Sequence, residues 1–445
     1  MAMLNFFKNI FFLPRFYVLI AATVSLFCLS FAWPILFVWA QIALFTTCFF
    51  VLLDVLLLFS RPAINGNRLL PDKLSNGDFN TIRIQLNNKY PFAVNVKIID
   101  ELPIQFQSRH FLQTAQIESG KLHTLNYQLK PVERGEYRFG ALHTYIASPV
   151  GLVQRRYTFG SEVMVPTYPS FLQMRQYELL AFSRRLSEAG LKKIRRIGHS
   201  LEFEQIKEYV SGDDYRTVNW KASARHNQLM VNQFDDEKSQ PVYCLINMGR
   251  VMQMPFEGLS LLDYAINASL VMSNIAIRKG DKAGLLTFSH QIGSFAPAKK
   301  QGNQMYLLQE LLYAQKTNFL EADYEKLYLN IRRRLSQRSL LLLFTNFETT
   351  TSLNRQLPYL QKLAKQHLLV VIFFENTELR QLLALKTNDI EDIYIKTIAE
   401  KFNFEKRLIV KQLQAHGIQT ILTQPKSLTV NTINKYLELK ARNLF

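Results

Sequence analysis

Two apolar runs at the start of the chain constrain its fold and location most. Residues 16–32 carry no charge, and after Trp33-Pro34 a second apolar run covers residues 35–59, interrupted only by Asp54. A helix needs about 20 mostly apolar residues to cross the hydrocarbon core of a bilayer. The pattern therefore predicts a transmembrane hairpin over residues 1–61.

Basic residues flank this hairpin on its outer sides. Lys8 and Arg15 precede the first run, Arg61, Arg68 and Lys73 follow the second, and the turn between the runs is nearly free of charge. Because short cytoplasmic segments are enriched in Lys and Arg, both ends of the hairpin are expected in the cytoplasm. The sequence thus predicts a multi-pass membrane protein with the bulk of the chain cytoplasmic.

A secretory signal peptide is the second interpretation of the first run, since Ser30-Phe31-Ala32 resembles a cleavage site with small residues at Ser30 and Ala32. Cleavage there would still leave the second run as an anchor. The basic flank after that run favours the cytoplasm for the remainder of the chain. Asp54 is interpreted as an interfacial or helix-packing residue, because proton relays usually involve more than one ionisable group.

Composition narrows the classes of function. A chain of 445 residues is long enough for two or three domains, and its formal net charge of +18 favours anionic surfaces. Cys28, Cys48 and Cys244 form no spacing typical of disulfides or CxxC metal sites. The motifs GxxxxGKS/T, HExxH, GxSxG and GxGxxG do not occur in the sequence. We therefore do not expect the chain itself to be an ATPase.

The segment 62–167 has alternating apolar and polar residues. Runs with this period of two, separated by Gly, Pro and Asn, occupy residues 81–86, 94–99, 123–129, 136–146 and 152–159. Such a pattern predicts a small antiparallel β-sandwich. Its loops bring no nucleophile and base together, so a binding or spacing role is expected.

A connector of residues 168–240 follows. Residues 173–188 have a helical apolar period, and LKKIRRIG at 191–198 concentrates four cations. A basic cluster of this kind can bind nucleic acid. Without aromatic stacking residues or a reader motif, however, it is expected to be solvated or to touch anionic lipid headgroups, and no nucleic-acid partner is expected.

The segment 241–445 alternates apolar runs with amphipathic stretches. Four apolar runs begin at Val242, Ala283, Leu340 and Leu368, and residues 261–279 and 324–335 between them have a helical period. The pattern predicts an α/β fold whose parallel sheet is covered on both faces. Ligand sites in such sheets lie outside the carboxyl ends of the strands.

This plan resembles the von Willebrand factor type A domain, a Rossmann-like fold. The metal-ion-dependent adhesion site of that family uses Asp-x-Ser-x-Ser after the first strand, a Thr in a later loop and an Asp after the fourth strand. The corresponding positions here are Asn247, Gly249, Val251, Thr317 and Asn346. Mg²⁺ is attracted chiefly by carboxylates, and these side chains supply none. The resemblance therefore implies a degenerate, metal-free site without a cofactor, with bound Mg²⁺ as the alternative.

The stretch EFEQIKEYVSGDDYRTVNWKASARH, residues 202–226, closely resembles the signature of domain-of-unknown-function family 58. The matching residues are Glu202, Tyr209, Gly212, Asp213, Asp214, Arg216, Trp220, Lys221, Ala224 and Arg225, while Lys207 stands where Arg is usual. Family members of this size also have an N-terminal membrane hairpin, an RGxYxFG element, here at residues 134–140, and a degenerate type A domain. The resemblance therefore covers most of the chain.

The physical interpretation of this signature is a structural clasp or a partner-binding surface. Asp213 and Asp214 follow a glycine in a turn, Arg216 and Arg225 can pair with such carboxylates, and Trp220 can supply a buried anchor. A catalytic pair of carboxylates is the alternative. Acids beside two arginines would have low pKa values and be poor proton donors, which favours the clasp.

The resemblance also implies partners. The family is associated with MoxR-type AAA+ ATPases, so we expect a non-enzymatic adaptor or scaffold of the bacterial inner membrane that acts with such an ATPase on a client protein. Two alternatives stay open. One is a metal-dependent binding module acting alone, and the other is a hydrolase that uses Asp213 or Asp214.

Overall fold

The computed structural model describes residues 7–60, 64–108, 111–160, 162–172, 174, 202–210, 215, 218–226, 228–235, 239–300, 302–313, 315, 317–376, 390–442 and 444. These residues form two compact units, Met1–Tyr168 and Pro169–Phe445.

Two apolar helices lie near the start of the first unit, α1 at Pro14–Ser30 and α2 at Ile35–Phe59. Pro14 occupies the first turn of α1, where its fixed φ suits a helix start. The 17 residues of α1 span about 26 Å, less than the ~30 Å hydrocarbon core. Among the described residues, α2 is the one helix long and apolar enough to cross a membrane. The predicted second crossing is therefore not supported by helix length.

The described residues of the first unit also form eleven strands. They are β1 Ile10–Phe12, β2 Ile64–Leu69, β3 Leu74–Ser75, β4 Asn80–Asn88, β5 Val94–Asp100, β6 Gln113–Ile117, β7 Leu122–Leu129, β8 Gly135–Phe139, β9 Leu142–Ala147, β10 Val153–Phe159 and β11 Val163–Tyr168. Their sheets have the orders β1-β10-β9-β5-β6, β2-β4-β7 and β3-β11-β8. Pairing is antiparallel except between β3 and β11.

Alternation along the strands builds the core of this unit. Ile84 and Leu86 on β4 pack in one cluster with Val96 and Ile98 on β5, while the residues between them on each strand face outward or are partly exposed. This confirms the period-two prediction. The run 136–146 is two strands rather than one, because the Gly140 and Ala141 N–H groups donate to Glu101 at 2.9 and 2.8 Å and turn the chain.

The second unit contains helices and strands in alternation. In chain order they are β12 Glu202–Glu208, α3 Trp220–His226, β13 Met230–Asp235, β14 Pro241–Asn247, β15 Pro255–Phe256, β16 Leu259–Ser260, α4 Leu261–Arg278, β17 Lys282–Phe288, β18 Ile292–Lys299, α5 Gln304–Tyr313, α6 Tyr324–Arg334, β19 Leu340–Phe344, α7 Thr350–Gln366, β20 Leu368–Phe374, α8 Ile390–Ala415, β21 Gln419–Thr423 and α9 Leu428–Ala441. Strands β12 and β13 form an antiparallel pair.

The central sheet has six strands in the order β18-β17-β14-β19-β20-β21. All neighbours are parallel except β18, which is antiparallel to β17. Helices lie on both faces because alternate residues of each strand point in opposite directions. On β14, Cys244 and Ile246 pack with α4, α5 and α9, whereas Tyr243 and Leu245 pack with α6, α7 and α8. The predicted mixed α/β fold is confirmed.

Candidate functional site

The signature segment is described in part. Glu202 lies on β12, and the backbone N–H of Tyr209 donates to the Leu229 carbonyl at 2.8 Å, extending the β12–β13 pair. Gly212, Asp213, Asp214 and Arg216 lie outside the described residues, as does the predicted helix at 173–188 except for Met174. The predicted pairing of Asp213 and Asp214 with arginines therefore stays a prediction.

Polar side chains that the signature match did not single out organise the described part of this segment. Asn219 precedes α3, its Oδ1 accepts the Ala222 N–H at 3.0 Å, and its Nδ2 donates to Asn232 Oδ1 at 2.8 Å. Ser223 Oγ accepts the Met230 N–H at 2.9 Å, which ties α3 to β13. Asn before a helix is a common N-cap, so the sequence did contain this signal.

The aromatic residues of the segment are exposed. Trp220 is 73% exposed and Tyr215 is 72% exposed, and Lys221 and Arg225 are exposed on α3. Trp220 is therefore not the buried anchor that the sequence suggested. It begins α3 one residue after Asn219, whose cap hydrogen bonds fix the helix start and turn the indole outward.

The carboxyl edge of the central sheet is the second place where predicted residues meet. Asn247 ends β14 and is buried, with its Nδ2 donating to Thr345 Oγ1 at 2.9 Å and to the Tyr324 hydroxyl at 3.3 Å. Its Oδ1 accepts the Gly249 N–H at 2.7 Å. Desolvation raises the pKa of Tyr324 to about 12, so this hydroxyl stays neutral. Asn247 is thus a structural bridge between β14 and the residue after β19.

The other positions of the degenerate adhesion site are also engaged with the protein. Thr317 Oγ1 donates to the Met248 carbonyl at 2.7 Å and accepts the Phe319 N–H at 3.1 Å. Val251 packs partly buried against the core. A Cβ added at Gly249 would lie 2.9 Å from both Asn247 Oδ1 and the Leu320 carbonyl oxygen, too close for a serine without a shift of the backbone.

Asn346 meets a cation that the sequence did not reveal. Its Oδ1 accepts a hydrogen bond from Lys406 Nζ, 2.7 Å away, and the same ammonium donates to the Phe374 carbonyl at 2.9 Å. Lys406 comes from α8, and its Nζ lies 5.9 Å from the centroid of the Phe373 ring. Burial lowers its pKa from 10.5 to about 8, and the nearby charge of Glu348 partly offsets this.

These contacts test whether Mg²⁺ fits the site. A divalent ion coordinated by Asn346 Oδ1 would share that oxygen with the ammonium of Lys406. Two cations on one neutral oxygen repel each other, and the side chains of Gly249 and Val251 offer no ligand. The residues of this edge therefore do not fit Mg²⁺. No group of three or more His, Cys, Asp or Glu side chains suited to a metal occurs within the described residues.

A cavity of about 360 Å³ opens beside Lys406. It is lined by Met254, Pro255, Phe256, Leu261, Asn346, Glu348, Phe374, Glu375, Asn376, Phe402, Asn403, Lys406 and Pro425. Most of its wall is apolar, and its charged groups are one ammonium and two carboxyls. The sequence predicted a site at this edge of the sheet but not Lys406, which reaches it from a helix 60 positions after Asn346.

Among solved structures, the chain is similar to the CARDB domain of a Pyrococcus furiosus protein in complex with di-metal ions. The identity is 12%, the TM-score is 0.17, and the match covers 24% of this chain and 96% of that one. A PapD-like domain of human CEP192 is similar at 11% identity and a TM-score of 0.18, over 24% of this chain and 87% of that chain. At TM-scores of 0.17 and 0.18, neither similarity supports a conclusion about this chain.

Among curated proteins, the chain is similar to the "Uncharacterized protein YeaD" of Bacillus subtilis (strain 168). The two are 25% identical over 248 residues, which is 54% of this chain and 60% of that protein. The chain therefore spans less than two thirds of this relative's length.

The family model described as "Protein of unknown function DUF58" matches residues 205–399. That range contains the signature from Tyr209 to Arg225 and the polar residues Asn247 and Asn346 at the carboxyl edge of the sheet. Residues 205–399, less than half of the chain, are therefore similar to the DUF58 family, whose description assigns it no function.

Proposed function

We propose that this protein is a membrane-anchored, non-enzymatic adaptor of the bacterial inner membrane. Its second unit lies in the cytoplasm and acts with a MoxR-type AAA+ ATPase in the assembly or maturation of a client protein. The adaptor holds the ATPase at the membrane beside the client and contributes surfaces rather than chemistry.

The anchor in this proposal is the pair α1 and α2. On α2, Phe45 is 73% exposed and Trp39 60% exposed, a surface suited to lipid rather than water. Strand β1 precedes α1 yet pairs with β10, which follows α2. If α2 crosses the bilayer, α1 has to return the chain to the same side for this pairing to form. A hairpin is therefore the proposed topology.

The second unit is proposed to be a degenerate type A domain. Counted from the first strand of the central sheet, its order is 3-2-1-4-5-6, the doubly wound order in which ligands bind at the carboxyl edge. The antiparallel edge strand β18 and the polar cluster of Asn247, Thr317 and Asn346 support this assignment. In this chain the edge is a protein-binding surface without a metal.

The observation that carries the adaptor proposal is the exposure of Tyr215 and Trp220, 72% and 73%, within the family signature. Large aromatic side chains dominate the binding energy of protein interfaces, often by 2 kcal/mol or more, roughly a 30-fold change in affinity. Lys221 and Arg225 beside Trp220 provide charge for an acidic partner surface. We assign the ATPase contact to this part of the signature.

Co-purification tests the proposal. The full chain in detergent is used to capture the MoxR-type ATPase of the same organism, with Trp220→Ala compared against Tyr306→Ala. Tyr306 is also an exposed aromatic, 67% exposed on α5, but lies outside the signature. We expect Trp220→Ala to lower ATPase capture at least about tenfold and Tyr306→Ala to leave it unchanged, with equal melting temperatures.

Equal capture by wild type and Trp220→Ala would remove the signature from the interface. Failure of the wild type to capture the ATPase would overturn the partnership itself.

A further inference from the structure

The ammonium of Lys406 is held at the carboxyl edge of the sheet by two neutral oxygens. Asn346 Oδ1, just after β19, is 2.7 Å from Nζ, and the carbonyl of Phe374, at the end of β20, is 2.9 Å from it. An ammonium has three N–H donors, so one remains after these two bonds. Among the described residues, no carboxylate lies within ion-pair distance of Lys406.

Without a ligand, this arrangement has an unfavourable desolvation free energy. A charged group taken out of water is normally paired with an opposite charge, yet Lys406 is partly buried and its hydrogen-bond partners among the described residues are neutral. Lys406 lines the cavity of about 360 Å³, which is at the lower end of the roughly 300–1,000 Å³ range of ligand pockets. The walls nearby are the apolar side chains of Phe256, Leu261 and Phe402.

We propose that this cavity is a binding site for a peptide carboxylate carried next to an apolar side chain, with Lys406 as the fixed cation that receives the carboxylate. The ammonium lies at the edge of the sheet whose residues do not fit Mg²⁺. The carboxylate comes either from an Asp or Glu side chain or from the end of a partner chain. This inference goes beyond the proposed adaptor role, because peptides alone test it and no ATPase is needed.

The other charged groups of the cavity set its selectivity. Glu348 is exposed, so water screens its charge, and Glu375 follows β20. Both carboxyls oppose a ligand with several negative charges but leave room for a single carboxylate that bonds directly to Nζ. The ligand chemistry is therefore one acid group on an apolar body rather than a phosphate or an acidic run.

The titration of Lys406 agrees with this geometry. Burial lowers its pKa to about 8, and a carboxylate bound to Nζ would favour the charged form and raise that pKa. The charged groups lining the cavity among the described residues are Glu348, Glu375 and Lys406. Peptide affinity should therefore fall as the pH rises above about 8, as the free lysine loses its proton.

The test is calorimetry of the full chain in detergent with three peptides. Acetyl-Leu-Asp-Leu-amide has one side-chain acid, acetyl-Leu-Asn-Leu has only the terminal acid, and acetyl-Leu-Asn-Leu-amide has none. We expect one or both acids to bind at least about tenfold more tightly than the neutral peptide, since a charge-assisted hydrogen bond is gained. The acidic peptide that binds more tightly identifies the source of the carboxylate.

Variants assign the effect to the ammonium. Lys406→Gln should abolish the preference for the acids, Lys406→Arg should retain it, and Lys401→Gln, at an exposed lysine on the same helix, should leave binding unchanged. Glu348→Gln should tighten binding a few-fold, because it removes a repelling charge. Equal binding of acidic and neutral peptides, no binding of either acid, or an acid preference that survives Lys406→Gln would each overturn the proposal.

Discussion

The partly buried ammonium of Lys406 makes the stability of the folded state depend on pH. Between pH 8 and 10.5 the unfolded chain keeps the lysine protonated while the folded chain releases the proton. The unfolded state then binds more protons, so the stability of the folded state rises with pH in this window. The penalty of the buried charge is fully present below pH 8 and disappears as the pH rises through 10.5.

The prediction compares wild type with Lys406→Met across this window. Between pH 8 and 10.5 the wild type should gain roughly 2 kcal/mol relative to the variant, after a discount for the partial solvent contact of the side chain. Denaturant unfolding of the full chain in detergent at closely spaced pH values measures the difference. Lys401→Met is the control, because Lys401 is exposed and should show a constant difference.

A constant difference for Lys406→Met as well would mean that Lys406 titrates like a surface lysine. Variation in the opposite direction, with the wild type losing stability relative to the variant, would contradict the sign of the shift.

Single residues of this site were predicted unequally well from sequence. Asn247, Thr317 and Asn346 were found because they follow strands or sit in a recognisable loop, and strand ends can be located by composition. Lys406 was not found, because its role depends on a contact across 60 positions and its helix has other lysines at similar spacing. The sequence predicted a buried Trp220, whereas the indole is exposed, because an indole suits both a protein core and an interface.

At the scale of elements, Asp54 explains why a carboxylate interrupts an apolar helix. It lies near the end of α2 and is fully buried, and its Oδ2 accepts the N–H groups of Leu152 and Val153 at 2.9 and 2.7 Å. The Ser148 hydroxyl donates to its other oxygen. Ser148 and Leu152 lie in the turn between β9 and β10 and Val153 begins β10, so the helix end is fixed to a sheet. The sequence interpreted Asp54 as an interfacial or helix-packing residue, whereas its partners lie in and beside the β9–β10 turn.

Asp54→Ala should therefore destabilise the first unit. The change leaves two buried N–H groups without an acceptor, which costs about 2–4 kcal/mol in total. Thermal unfolding of the full chain in detergent should show the loss as a lower melting temperature. The control is Asp72→Ala, which removes an exposed carboxylate and should shift the melting temperature little.

A melting temperature unchanged by Asp54→Ala would mean that water or another group replaces the carboxylate. The helix end would then be held mainly by the Arg155 and Tyr90 side chains, which both donate to the Leu58 carbonyl, at 2.7 and 2.8 Å.

Elements with strong periodicity were predicted closely. The helical patterns at 261–279 and 324–335 became α4, Leu261–Arg278, and α6, Tyr324–Arg334. The edge strands β18 and β21 were missed, because an edge strand has one neighbour and carries fewer apolar residues than β14 or β19. The antiparallel pair of β12 and β13 was not predicted as strands but only as a family signature, since its polar sequence gives no clear period of two.

For the whole molecule, the proposed membrane topology rests on the ends of the helix pair. Both ends meet the same sheet, since β1 pairs with β10 before α1 begins and Asp54 binds the β9–β10 turn near the end of α2. In the proposed hairpin, residues on both outer sides of the helices therefore share one side of the membrane. The basic residues that precede α1 and follow α2 support the proposal that this side is the cytoplasm.

The remainder of the chain should stay on that side. After Phe59, the described residues include no further helix long and apolar enough to cross a membrane. A reporter active only outside the cytoplasm should consequently be silent when fused before Met1 and also when fused after Phe445, whereas a reporter active only inside should work at both ends. Activity of the outside reporter at one end alone would show a single crossing and require the β1–β10 pairing to be absent in the membrane. Activity at both ends would keep the hairpin but reverse its orientation, and the interface assigned to Trp220 would then be closed to a cytoplasmic ATPase.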